Sequence, residues 1–263
     1  MSKIQVAVSG AAGRMGRRLI AIISADKELE LSAALETESH EKIGTDAGEL
    51  AGVGQIGVIL RANIERRVDV LIDFSTPQAT ENIVGSCVNF GIPLVFATTG
   101  TTLEQNKLLD EASRRIAVLT SPSMSLMVNL AMNLCKSAAK TLSDKDADVE
   151  IVESHHRYKV DSPSGTALKF GQIISEEMGQ NKQIYGREGQ IGKRQHNEIG
   201  FHSIRIGDDA GSHSILFGLL GEALEISVKA TSRDCYALGA IAAAKFIHNK
   251  PAGKYNMNDL LFR

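Results

Sequence analysis

The chain has 263 residues, enough to bury a sizeable core as one large domain or two modest ones. A formal net charge of −2 and a pI near 6.4 argue against a polyanion-binding surface, so no nucleic-acid partner is expected. Cys87, Cys135 and Cys235 are odd in number and far apart, which speaks against a disulfide framework and for a reducing compartment.

No run approaches the roughly 18 apolar residues of a membrane span. The N-terminal MSKIQVAVSG enters a strand-like pattern at once and leaves no room for a signal peptide. The expectation is a cytoplasmic protein without a membrane partner. There is no low-complexity tract and no internal repeat.

In chain order, IQVAVSG reads as a strand and RMGRRLIAIIS as a helix, followed by a second strand candidate, LSAALE. VDVLIDFS is almost continuously apolar, as a buried parallel strand is. PQATENIVGSCVNFG is helical, with Pro77 in the first turn and Gly91 at the stop. IPLVFATTG, LEQNKLLDEASRR and IAVLTSPS continue the alternation as strand, helix and strand. Strict alternation implies a parallel sheet with crossover helices on both faces.

After Ser125 the rhythm changes. SLMVNLAMNLCKSAAKTL is one long helix, DADVEIVESHH a strand and SGTALKFGQIISEEMG a helix. Residues 198–231 are strand-like and broken by Gly and Asp pairs, which suits an antiparallel or mixed sheet carrying helices. CYALGAIAAAKFIHNK is a small-residue helix placed to pack back on the first domain. The fold class is therefore α/β, with a dinucleotide-binding domain over 1–124 and 233–263 and a second, α+β domain over 125–232.

Gly10, Gly13 and Gly16 lie where the first strand turns into the first helix. Glycines there permit a tight turn and close approach to a pyrophosphate, and the helix N-terminus offers free N–H groups. The spacing is G-x-x-G-x-x-G, with Ala12 in place of the second glycine of the commoner pattern. Glu36 ends the second strand twenty residues after Gly16, where a carboxylate binds a ribose diol. A glycine-capped helix with an incidental glutamate is the competing reading. Thr37, not a cation, follows Glu36, so NADH should be well accepted, with NADPH also possible. Residues 97–100 and 121–124 follow later strands of the same sheet, at the edge where a nicotinamide rests.

The stretch ESHHRYKVDSPSGTA, residues 153–167, carries the chemistry. His155 and His156 are consecutive, so on extended backbone they point to opposite faces and do not share an ion; no metal is expected. A histidine near neutral pKa and a nearby lysine, Lys159, suit proton donation. Ser164, Gly165 and Thr166 open a helix with hydroxyl and N–H groups suited to a carboxylate. With Lys159 and Arg233 they point to a small dicarboxylate and to hydride delivery with protonation. A solvated polar turn is the bland alternative.

GAAGRMGR, IDFS, ATTG and above all ESHHRYKVDSPSGTA together resemble the 4-hydroxy-tetrahydrodipicolinate reductase family, also called dihydrodipicolinate reductase, over essentially the whole chain. The resemblance implies a Rossmann-like domain completed by the C-terminal helix, and a substrate domain whose open mixed sheet assembles a homotetramer. It implies His155 and Lys159 as the proton-handling pair, and His156, Ser164, Gly165 and Thr166 as holders of the substrate carboxylates. Its cofactor contacts fall on Gly10, Ala11, Ala12, Gly13, Arg14, Met15, Glu36, Ala97, Thr98, Thr99, Ser121, Pro122, Ser123 and Met124. This chain departs from the family pattern at Thr37, where an arginine is frequent, and at Ala97, where a glycine is frequent. It departs again at Ser123, Met124 and Met127, beneath the expected nicotinamide position. A dehydrogenase of another amino-acid-derived substrate on the same scaffold, or a nucleotide sensor that has lost catalysis, would share the first half; a sensor has no use for a His155–Lys159 pair.

Overall fold

The computed structural model describes residues 2–262; Met1 and Arg263, the ends of the expected first domain, lie outside the described residues. The elements are β1 (Ile4–Ser9), α1 (Arg14–Ala25), β2 (Leu29–Leu35), α2 (Ala47–Ala51), β3 (Leu60–Arg61), β4 (Val70–Asp73), α3 (Thr80–Phe90), β5 (Leu94–Phe96), α4 (Leu103–Ala112) and β6 (Ala117–Thr120). They continue as α5 (Leu126–Leu142), β7 (Asp148–His155), α6 (Gly165–Met178), β8 (Lys182–Tyr185), β9 (Glu198–Arg205), β10 (Ser212–Leu219), β11 (Glu222–Lys229), α7 (Asp234–Ile247), β12 (Gly253–Tyr255) and α8 (Met257–Leu261). The chain divides into two compact units, one running to Leu126 and resuming at Asp234, the other Met127–Arg233.

The first unit is a seven-stranded sheet in the order β12-β6-β5-β4-β1-β2-β3, and every pairing is parallel. The order reverses between β1 and β4, which creates the crevice where doubly wound sheets bind ligands. Val70, Leu71, Ile72 and Asp73 of β4 are all buried, as expected of a strand covered on both faces. On one face Leu19, Ile20 and Ile23 of α1 and the alanine-rich side of α7 pack over Val6, Val8, Ile72 and Leu119. On the other, Ile83, Val84 and Cys87 of α3 and Leu109 of α4 pack over Ala7, Leu71, Leu94 and Val118. Local signals set the boundaries. Pro77 opens a 3-10 turn before α3, Gly91 ends α3 at φ 64°, and Thr102 with Gln105 forms a capping box on α4.

The second unit is a five-stranded mixed sheet in the order β11-β10-β7-β9-β8. β7 and β8 run parallel to β9, while β10 is antiparallel to β7 and β11. Helices α5 and α6 bury Val128, Met132, Cys135, Phe170 and Ile174 against one face, formed by Val149, Ile151, Phe201, Ile215 and Phe217. The alternation in β7 leaves Glu150, Val152 and Ser154 half-buried on the other face. The parallel alternating half and the mixed second sheet are both as the sequence predicts. Among the described residues no helix is long and apolar enough to cross a membrane.

Candidate active site

In the first unit the glycine turn is fixed by how close two backbones come. Gly10 has φ 71°, and a Cβ there would stand 2.6 Å from the Phe74 carbonyl oxygen and 2.9 Å from Ser75 Cα. At Gly16 a Cβ would collide with the Gly10 carbonyl oxygen and stand 2.6 Å from Ala11 Cα. The Ala11 N–H donates to Leu35 O at 3.0 Å, and the Gly13 N–H to Gly10 O at 3.0 Å. Gly13 is the N-cap of α1, and no side chain caps that helix. Its first N–H groups thus point out of the turn, beside exposed Arg14 and half-buried Met15.

The Glu36 carboxylate bridges this turn to the end of β2: Oε2 accepts from the Ala12 N–H at 3.1 Å and Oε1 from the Thr37 N–H at 3.0 Å. A cavity of about 600 Å³ opens here, lined by Gly10, Gly13, Glu36, His40, Phe74 and Ser75 among others. A cradle that a Cβ would fill, an uncapped helix end and a carboxylate at the end of β2 fit a dinucleotide.

Asp73, which the sequence reading passed over, organises the neighbouring strand ends. It is fully buried, accepts the Thr98 hydroxyl at 2.7 Å, and is hydrogen-bonded by Ser75 and Ser9. Burial pushes its carboxyl above the usual carboxylate range despite those donors. The signal was available: a carboxylate closing an otherwise apolar buried strand. Thr98 is thus held beneath the loop, while Thr99 is exposed. No residue but glycine has positive φ among the described residues, so Ala97 carries its methyl without backbone strain.

In the 121–124 loop, Ser121 Oγ donates to Ser123 O at 2.8 Å and Pro122 is exposed. Ser123 is buried, and Met124 is buried in the core with α7. The Met124 side chain is therefore part of the core, and a Cβ at Gly239 would strike its carbonyl, so the helix sits directly on it.

In the second unit the 153–167 stretch folds back on itself. Glu153 and His155 lie two residues apart on β7 and share its buried face. His155 Nδ1 lies 2.5 Å from Glu153 Oε2, and Arg205 clamps the same carboxylate at 2.8 and 3.0 Å. The Ser164 N–H also donates to Glu153, at 3.3 Å. Burial would raise the Glu153 carboxyl, but hydrogen bonds from Arg205, Ser203 and His155 outweigh it and hold it below the usual range. His155 is drawn below the usual imidazole value, chiefly by burial and further by Lys159 and Arg205, against the pull of Glu153. Buried His213, hydrogen-bonding partner of the Ser164 hydroxyl at 3.1 Å, is pushed down to about 4 by burial and by His155.

His156 emerges past the strand end; Arg233 donates to its Nε2 at 3.0 Å. Lys159 stands in the following turn, paired with Asp161 at 2.8 Å, and the Asp161 carbonyl accepts from Arg205 at 2.6 Å. Ser164 caps α6 by accepting the Ala167 N–H at 3.2 Å. It is only 2% exposed, with its hydroxyl engaged by Ala167 and His213. Gly165 is exposed and Thr166 half-buried at the helix mouth. Glu153, Arg205 and His213 were missed in the sequence; only the period-2 spacing of Glu153 and His155 hinted at the first.

Two family models cover the chain: dihydrodipicolinate reductase, N-terminus, matches residues 4–124, and dihydrodipicolinate reductase, C-terminus, matches residues 127–261. The chain belongs to the dihydrodipicolinate reductase family. The 4-hydroxy-tetrahydrodipicolinate reductase of Rhodopirellula baltica is 46% identical over 98% of this chain and 96% of its own. The enzyme of that name from Alkalilimnicola ehrlichii is 42% identical over 98% of each. Among solved structures, dipicolinate-bound dihydrodipicolinate reductase from Paenisporosarcina sp. TG-14 has a TM-score of 0.74 at 24% identity, covering 97% of each chain. A myo-inositol dehydrogenase from Corynebacterium glutamicum gives 0.56 at 13% identity, covering 95% of this chain and 90% of its own. At those identities the structural likeness speaks for the fold alone. The family is the one that ESHHRYKVDSPSGTA suggests.

Proposed function

We propose that this chain reduces 4-hydroxy-tetrahydrodipicolinate to tetrahydrodipicolinate with loss of water, using NADH or NADPH, in the diaminopimelate and lysine pathway. The observation that carries this reading is the folding of residues 153–167. His155 at the end of β7, Lys159 in the turn and the mouth of α6 are tied to one another through Glu153 and Arg205.

Loss of the 4-hydroxyl as water leaves a ring C=C conjugated to the imine, and the reduced nicotinamide, when bound, supplies the hydride that saturates it. One proton completes the balance, and His155 and Lys159 are the groups that deliver it. Lys159 is oriented by Asp161. His156, Arg233, Thr166 and the N–H groups at Gly165 and Thr166 hold the two carboxylates of the substrate; Ser164 supports them as the cap. In the other unit, Gly10, Ala11, Ala12, Gly13, Arg14 and Met15 hold the pyrophosphate and Glu36 the adenosine ribose. The segments 97–99 and 121–124 flank the nicotinamide, with Ser123 and Met124 acting by backbone and packing.

The carboxylate of Glu36, followed by exposed Thr37, supports ready use of NADH, because no cation follows it to offset a 2′-phosphate. We assign dinucleotide binding to 1–124 with 233–263 and substrate binding to 125–232. The half-buried face of the second sheet is the surface on which a homotetramer would form. Cys87, Cys135 and Cys235 are unpaired, in keeping with the cytoplasm.

The test is a coupled assay. Pyruvate and aspartate semialdehyde are condensed by the preceding synthase, and nicotinamide oxidation is followed by absorbance. Oxidation that requires both this protein and the condensation product is the expected result. A protein that binds NADH yet oxidises none in the presence of that product would refute the reading.

A further inference from the structure

His155 has two ring nitrogens, and proton delivery needs one of them free in a known state. Everything packed on the ring bears on which. Glu153 is 1% exposed, and its two oxygens accept from His155 Nδ1, both terminal nitrogens of Arg205 and the Ser164 N–H. A carboxylate so surrounded is ionised and only accepts, so Nδ1 carries the hydrogen and Nε2 is left as the nitrogen that exchanges a proton. On the Nε2 side the backbone gives way: Gly211 is buried with φ 131°, and a Cβ there would stand 2.9 Å from Nε2 and 3.1 Å from Cδ2. His213 closes the third side, edge-on at 5.3 Å between ring centroids.

The geometry points to Glu153 as a positioning residue of the reaction, which fixes the tautomer and plane of His155 while Arg205 locks the carboxylate and Gly211 keeps Nε2 clear. This rests on the reading of His155 as a proton donor. Arg205 also donates to the Asp161 carbonyl, and Asp161 holds Lys159, so one guanidinium sets the ring of His155 and the turn that carries Lys159. The charged or titratable groups facing His155 are Glu153 on β7, Lys159 on the turn, Arg205 on β9, Asp209 on the loop before β10, and His213 on β10. Among them Glu153 pulls the proton affinity of His155 upward, while Lys159 and Arg205 pull it downward.

The experiment reads ring-nitrogen NMR of ¹⁵N-histidine-labelled full-length protein, with the His155 signals assigned by their loss in His155→Asn. Wild type should show the Nδ1–H form when neutral, and Glu153→Ala the Nε2–H form that free imidazole prefers. Its kcat should fall about 10²-fold, the contribution of a well-placed general acid, with KM little changed. Glu153→Gln still offers an oxygen to Nδ1–H and keeps the shape. It should retain the tautomer but move the His155 limb of the pH–rate profile to lower pH by about one unit or more, because a negative partner is lost. A folded Glu153→Ala protein that keeps the Nδ1–H form overturns the proposal, whatever its activity. So does a Glu153→Gln profile superimposable on that of wild type. Absence of turnover in the wild type would instead remove the functional reading, and the ring spectra would still decide the positioning role.

Discussion

Replacing Gly10 by alanine tests whether the turn between β1 and α1 is built for close backbone approach. At φ 71° an alanine enters left-handed territory, a penalty of about 1–2 kcal/mol. Its Cβ would lie 2.6 Å from Phe74 O, 2.8 Å from Phe74 C and 2.9 Å from Ser75 Cα, all backbone atoms that no rotamer change can move. Restoring ordinary separations of about 3.5 Å means parting the two segments by roughly 0.9 Å. The Phe74 N–H bond to Ser9 O, 3.1 Å long, opposes that movement. Strain and overpacking together come to about 3 kcal/mol, or roughly 6–12 °C in Tm for a chain of this size. Phe74 and Ser75 line the same cavity as Gly10, so nucleotide affinity should fall about tenfold or more. Gly13→Ala is the control: its φ of −70° suits alanine, and its Cβ would meet only the Gly10 carbonyl, at 3.1 Å. That variant should melt near wild type while still weakening NADH binding. Thermal melts with and without NADH, and titration of nicotinamide fluorescence, separate the two effects. A Gly10→Ala protein with wild-type Tm and NADH affinity would show that the turn is not so constrained.

Lys159→Ala should lower kcat by roughly 10²-fold while NADH binding is kept, as for loss of a general acid; single-turnover kinetics and a binding titration check it. Thr37→Arg should raise the NADPH/NADH ratio of kcat/KM by supplying a phosphate partner beside Glu36, and an unchanged ratio would refute the Glu36–Thr37 reading. Asp46→Ala removes an acceptor that serves the N–H groups of Gly48, Glu49, Ile56 and Gly57, and should lower the midpoint of chemical denaturation. Glu150 is pushed up by burial, but Arg187, His202 and Arg194 outweigh this and bring it to about 2. Its depressed folded pKa stabilises the second unit above the unfolded value, and that stability is lost as pH falls from about 4.5 towards 2. The shift alone would give about 3 kcal/mol, reduced to about 1–2 by solvent reaching the carboxylate. The stability gap between wild type and Glu150→Gln should therefore narrow below about pH 4.5.

The long periodic segments are legible because burial on one or two faces writes itself into sequence: VDVLIDFS reads as a covered strand, and Val70–Asp73 is one. What escaped was short or contextual. β3 has two residues and β12 three, and both exist because a neighbouring strand offers an edge, not because of their own pattern. The candidate site divided in the same way. His155, Lys159 and the α6 mouth lie within one stretch and stood out together. Arg205 and His213 come from β9 and β10, and only the pairing of those strands with β7 brings them to Glu153 and Ser164. Composition does not reveal which way Ser164 and Met124 turn; tertiary packing buries both.

Hydride transfer to the condensation product is tested with NADH carrying deuterium at the transferable position of the nicotinamide. One deuterium should appear on a ring carbon of tetrahydrodipicolinate for each NADH oxidised, seen by mass spectrometry of the trapped product. NADH oxidation that leaves the product unlabelled, or product formation without oxidation, would contradict it.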